Sequence, residues 1–182
     1  VFIRMNATGC SYMLVNEREK TACRVDMNMT GLYNVQNSLC AIAMVTALGF
    51  DMTECAKALS DLDGVDGRMN VVYRGDFTVI TDYAHTDDAL IKVLSTLKPL
   101  TKGRLICVFG AAGDRDKEKR PMMAKAAEDN ADILVITSDN PAHENPDEII
   151  REVMTGISGK KPCRCITDRR EAIAYALSLI HI

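Results

Sequence analysis

Asp82 and His85 are the residues of this sequence best placed to do chemistry. They follow the β-branched run Thr78-Val79-Ile80-Thr81 and precede an amphipathic helical pattern. That puts a carboxylate and an imidazole where a strand's carboxyl end meets the next helix, the position at which open α/β sheets bind nucleotides and small substrates. Two other loops have the same polar density. Gly110-Ala111-Ala112-Gly113-Asp114-Arg115-Asp116 follows a strand pattern at Arg104–Phe109, and Ser138-Asp139-Asn140-Pro141 follows one at Ile133–Thr137. Gly67-Arg68 is a fourth polar site. The first three are expected at carboxyl ends of strands in one sheet, and therefore to converge.

Each residue also has an ordinary reading. Asp82 suits a helix N-cap as well as it suits a ligand. Tyr83 suits packing, and His85 suits a surface or capping role. The 110–113 loop is glycine-rich, but it is neither a dinucleotide fingerprint nor a phosphate loop. Asp114, Arg115 and Asp116 can pair among themselves, and Asp139-Asn140-Pro141 can be a turn. Lys117, Lys119 and Arg120 open a helix as a solvated start, where cations oppose the macrodipole; that mismatch favours an anionic partner. No spacing of His, Cys, Asp and Glu suggests a self-contained metal site.

The elements that must hold these loops are legible in the periodicity. Residues 1–29 alternate weakly in three apolar groups and read as a small antiparallel sheet. Asn34–Leu48 is helical with Gly49 as its stop, and Thr53–Leu62 is a second helix with Thr53 as its cap. Gly64–Gly67 breaks the pattern, and a domain boundary is expected there, giving segments 1–66 and 67–182. Strands are expected at Met69–Tyr73, Phe77–Asp82, Arg104–Phe109, Ile133–Thr137 and Cys163–Ile166. Helices are expected at Asp87–Leu97, Arg120–Asn130, Pro146–Ile157 and Arg169–Leu177. Alternating βα units imply an α/β fold with a mostly parallel sheet flanked by helices.

Composition narrows the class. The 182 residues are 47% apolar and 26% charged, with a net charge of −3. No apolar run approaches the ~20 residues of a membrane span. The charge argues against a nonspecific nucleic-acid binder. Seven cysteines, with no CxxC pair, read as reduced and mostly buried thiols of a cytoplasmic protein. Cys163 and Cys165 share a strand face, an arrangement that rarely has disulfide geometry. The chain starts at Val1 without a signal peptide. Its last six residues, Leu177 to Ile182, read as a translated sequencing adapter, so His181 is assigned no role.

Singly these features stay ordinary; together they are specific. GLYNVQN at 31–37, GR at 67–68, DYAHT at 82–86, FGAAGDRDKEKRP at 109–121 and TSDNP at 137–141 resemble the Mur ligases. They are closest to the branch that adds the third residue of the peptidoglycan stem peptide. The resemblance runs in order from about residue 10 to 176. It implies the end of a central ATP-binding domain (1–66) followed by most of a Rossmann-like C-terminal domain. The family's phosphate loop and carbamylated lysine would lie upstream, and the end of its substrate pocket downstream. The chain is thus expected to be an inactive fragment.

The resemblance also implies roles. Asn34 and Asn37 match residues near the adenine, and an amide can both donate to and accept from a purine edge. Arg68 matches an arginine that reaches the ATP phosphates, a role its spread charge suits. Asp82 matches a ribose ligand and His85 a histidine packed nearby. Arg115 matches the clamp on the incoming amino acid's α-carboxylate. Asp139 and Asn140 match residues at that amino acid's far end, and Lys119 matches a lysine of the same cleft. ATP with Mg2+, a UDP-linked muramyl dipeptide and a diamino acid are the implied ligands. A cytoplasmic monomer with no nucleic-acid or membrane partner is expected.

Some positions depart from the family. Asp87 stands where many members have proline, and Asn70 where many have glutamate. Ala142 stands where members using meso-diaminopimelate commonly have an arginine to pair with the distal carboxylate. Leaving that carboxylate unpaired is costly, so Ala142 favours lysine, with His143 or a loop outside this sequence as the other sources of the missing charge. The alternatives are a related ligase of the folylpolyglutamate or cyanophycin synthetase type, or a non-catalytic nucleotide-binding module.

Overall fold

The weak alternation of the first thirty residues closes into an antiparallel meander of β1 (Ile3–Asn6), β2 (Gly9–Asn16) and β3 (Thr21–Met27). Cys10 and Tyr12 of β2 and Val25 and Met27 of β3 share one face. That face packs on Val35 and Ile42 of α1 (Leu32–Ala47) and on Met52 and Ala56 of α2 (Met52–Ser60). Inside it, the hydroxyls of Tyr12 and Ser38 share a hydrogen bond of 2.7 Å. Asp51, not Thr53, caps α2: its carboxylate accepts from the N–H groups of Thr53 and Glu54 at 2.8 and 3.0 Å. Gly49 has the left-handed φ of 96° suited to the residue after a helix end.

This computed structural model describes residues 2–181 and divides into two compact units, the first ending at Tyr83 and the second starting at Ala84. Val1 and Ile182, the outermost residues of the first apolar group and of the closing segment, lie outside the described residues. No helix of the described residues is long and apolar enough to cross a membrane.

The first unit ends in a hairpin, β4 (Asn70–Arg74) and β5 (Thr78–Thr81), paired antiparallel with a bulge between Val71 and Tyr73. This corrects the expectation that the strand before Asp82 joins the same sheet as the later strands. The three residues between β4 and β5 allow a hairpin and not the crossover of a dozen or more that a parallel neighbour needs, so these two strands pair antiparallel with each other.

The second unit holds the expected parallel sheet. Its order is β6 (Ile106–Phe109), β7 (Ile133–Ile136), β8 (Cys163–Cys165), with Ile106 opposite Ile133 and Leu134 opposite Cys163. The helices are α3 (Asp87–Leu97), α4 (Lys119–Asn130), α5 (Pro146–Met154) and α6 (Arg169–Ser178). Central strand β7 is buried on both faces. Leu134 and Ile136 pack with Leu90, Met123, Ile149 and Val153 of α3, α4 and α5, while Val135 packs with Ala172 and Ala176 of α6. Successive side chains of a strand point to opposite faces, so the short apolar run Ile133–Ile136 serves both helix layers.

All seven cysteines are free, but only Cys10 and Cys107 are buried, fewer than expected. Burial pushes Cys107 up to about 12 and Cys163 up to about 11, so both stay protonated at neutral pH.

Candidate functional site

The predicted residues fall into two groups, one in each unit. In the first unit, Gly67 (φ 70°) and Met69 (φ 49°) bend the chain sharply around Arg68, whose N–H donates to Val65 O at 2.9 Å. Asp82, just past β5, closes this bend: its carboxylate accepts from the Met69 N–H at 2.8 Å. The Arg68 guanidinium lies 5.4 Å from the centroid of the Tyr83 ring, within cation–π range. The two motifs are therefore physically joined. Asp82 is not the cap of α3; Thr86 is, accepting from Ala89 N–H at 3.2 Å.

Asn34 sits in the first turn of α1, buried, with its amide donating to Thr30 O at 2.7 Å. Asn37, one turn on, is exposed. Gly31 begins the helix at φ 105°, and a Cβ there would fall 2.8 Å from the Tyr33 ring, so only glycine fits. Burial, and then the negative charge of Asp82, push the Tyr33 hydroxyl up to about 12. Asp82 therefore acts on both the Arg68 bend and the start of α1. His85 is exposed and belongs to the second unit. A cavity of about 310 Å³ in the first unit, lined by Thr8, Asn28, Asp63, Gly64 and β4, contains none of the predicted site residues.

In the second unit, the loops after β6 and β7 meet, as expected. Gly113 N–H donates to Asn140 O at 2.7 Å. A Cβ on Gly113 would fall 1.8 Å from Pro141 O, and one on Gly110 would fall 2.4 Å from Thr137 O. The glycines thus serve close approach of two backbones. Arg115, next along, is exposed and makes no ion pair among the described residues. Asp139 pairs with Arg169 at 3.3 Å, and Arg169 also donates to Ser138 O. Asn140 accepts from the Ala142 N–H through its side chain. Lys119 is exposed, 3.9 Å from Asp116.

The model described as "Mur ligase, glutamate ligase domain" matches residues 67–181. The chain belongs to the Mur ligase family. The UDP-N-acetylmuramoyl-L-alanyl-D-glutamate--2,6-diaminopimelate ligase of Syntrophomonas wolfei is 45% identical over 180 residues, which is 97% of this chain and 36% of that protein. A solved structure of a ligase with the same name is 37% identical, with a TM-score of 0.65 over 96% of this chain and 36% of that one. Mycobacterium tuberculosis folylpolyglutamate synthase complexed with ADP shares the fold, with a TM-score of 0.76 at 20% identity over 98% of this chain and 40% of that one. The chain spans about a third of the length of the curated relatives it matches.

Within this Mur ligase chain the structure corrects one reading of the sequence. Arg120 is not part of a solvated helix start awaiting an external anion, and the exposed Lys117 is already paired. Arg120 is 1% exposed and held by Glu144 and Glu152, and Lys117 reaches the same two carboxylates at 3.0 and 3.6 Å. Hydrogen bonds from Arg120, from the Asp114 N–H and from Lys117 hold Glu144 well below the usual carboxylate range. Sequence reasoning missed Glu144, Glu152 and Arg169. The signal available was an acidic pair eight residues apart near a cationic helix start, which resembles ordinary surface charge. His143 Nδ1 lies 2.5 Å from Asp114 Oδ2, and this hydrogen bond raises the imidazole above its ordinary value.

Proposed function

We propose that this chain is part of an ATP-dependent ligase that joins a diamino acid to UDP-N-acetylmuramoyl-L-alanyl-D-glutamate. The observation that carries the reading is the direct contact of the 110–116 and 138–141 loops beside Arg115, exposed and without an ion pair among the described residues. It gives a guanidinium for an α-carboxylate next to polar groups for a side chain. The names carried by the relatives that match nearly the whole chain support the same chemistry.

In this reading the terminal carboxylate of the muramyl dipeptide attacks the γ-phosphorus of ATP, releasing ADP and leaving an acyl phosphate. The amine of the diamino acid then attacks the acyl carbon, inorganic phosphate leaves, and the amine gives up a proton. Positioning and charge neutralisation do most of the work. Asn34, Asn37, Arg68 and Asp82 serve the nucleotide, with Arg68 on its phosphates. Arg115, Asp139 and Asn140 hold the amino acid. Lys119 and His85 are exposed, family-matched positions on the second unit. Among the described residues no group of three His, Cys, Asp or Glu side chains could hold a metal ion.

Lysine is the proposed amino acid. Ala142 has no charge for a distal carboxylate, and the adjacent His143 is already engaged by Asp114. The test is turnover by the full-length protein with the UDP-linked dipeptide, ATP and either lysine or meso-diaminopimelate, read as phosphate release and product mass. No turnover with either overturns the ligase reading. Preference for diaminopimelate overturns only the argument from Ala142.

A further inference from the structure

Arg120 has both Nη atoms of its guanidinium engaged inside the protein. Its side chain is 1% exposed; Nη2 donates to Glu144 Oε1 at 2.7 Å and to Ala112 O at 3.2 Å, and Nη1 donates to Glu144 Oε2 at 2.9 Å and to Glu152. It is not available to a substrate. It instead fixes the plane of the Glu144 carboxylate, since a two-pronged guanidinium pair sets orientation as well as position. Glu144 Oε1 then accepts a second bond, from the backbone N–H of Asp114 at 2.7 Å. Asp114 has a left-handed φ of 53°, a conformation that a non-glycine residue keeps only when its surroundings hold it. The next residue is Arg115.

We propose that Glu144, oriented by buried Arg120, is a positioning residue that aims Arg115 at the α-carboxylate of the incoming amino acid. The inference rests on the ligase reading above. Glu144 ties the loop bearing Asn140 to the backbone that directs Arg115, so both contacts to the amino acid share one frame. The Gly113 N–H to Asn140 O bond closes the same frame from the other side. Glu152 bonds Arg120 but not the 114 backbone, so it shares the burial role without the aiming role.

That difference is the test. In the full-length ligase, Glu144→Gln is expected to raise KM for the amino acid about ten-fold or more, leaving kcat and the KM for ATP within about two-fold. Glu152→Gln, an equal change on the same arginine, is expected to leave the amino-acid KM within about two-fold. If Glu144→Gln does not fold, Glu144→Asp is assayed instead; it keeps the charge for Arg120 but is too short to reach the Asp114 N–H as well. Amide exchange gives a readout independent of turnover: loss of Glu144 should speed exchange at Asp114 while α4 stays protected. Equal KM effects of the 144 and 152 variants, or an unchanged Asp114 amide, overturn the inference. A wild-type protein that turns over neither diamino acid fells the ligase reading, and the inference with it.

Discussion

Gly113→Ala adds one methyl group where the two loops of the second unit touch. The new carbon would sit 1.8 Å from Pro141 O and 2.5 Å from its carbonyl carbon, both backbone atoms with no rotamer to give way. A normal contact requires the loops to part by about 1.5 Å, which stretches the 2.7 Å Gly113 N–H to Asn140 O bond beyond hydrogen-bonding range. Overpacking of this kind costs about 1–3 kcal/mol and a lost hydrogen bond about 0.5–1.5 kcal/mol, so roughly 2–4 kcal/mol is expected. The φ of Gly113 is not left-handed, so backbone strain adds nothing. Gly103→Ala is the matched control: no atom lies within 4 Å of its added carbon and its φ is also ordinary. It is expected to be neutral or to stabilise by about 0.4–1 kcal/mol through the unfolded chain. Thermal and urea denaturation followed by circular dichroism compare the two variants, with a fall in Tm on the order of ten degrees expected for Gly113→Ala alone. If Gly113→Ala stays within about 0.5 kcal/mol of the parent, the loops are not in the contact described, and the reason given for this glycine is wrong.

Thr86→Val removes the cap of α3 and should cost about 1 kcal/mol, while Thr53→Val should cost far less because Asp51 caps α2. The imidazole of His143, followed by NMR, should titrate above its ordinary 6.5, and Asp114→Asn should bring it back. Because the folded value is raised, the pair's contribution is complete below the unfolded value and fades as pH rises through the folded one. For Glu144, held low, the sign is opposite: its contribution is complete above the ordinary carboxylate range and is lost as pH falls towards the folded value, so acid should loosen the 110–116 and 138–145 loops together. Ala142→Arg should shift the full-length enzyme's kcat/KM towards diaminopimelate by about ten-fold or more, and unchanged selectivity would remove position 142 from the argument.

Much of the local structure was legible. Helix Asp87–Leu97 has the expected bounds, and the other helix and strand ends moved by no more than a few residues, because periodicity and caps act within one or two turns. The parallel sheet of the second unit followed from repeated βα units, and the meeting of its two polar loops followed from their place at strand ends. The matched family domain begins at residue 67, where the break at Gly64–Gly67 put the boundary, while the compact units part after Tyr83, because the β4–β5 hairpin satisfies its backbone locally and carries no sign of which unit holds it.

By itself, then, the sequence determined the order and kind of the elements, the apolar faces, the family motifs and the candidate residues. Each of these depends on near neighbours or on residue identity alone. Only the tertiary structure decided what those residues touch. It bound Asp82 to Met69, thirteen positions away, gave the cap of the following helix to Thr86, and buried Arg120 against Glu144, twenty-four positions on. A lone Arg or Asp carries the same charge whether it is solvated, capping or buried. Its role is set by desolvation and by which partner arrives within about 3 Å, and that partner is brought by the fold.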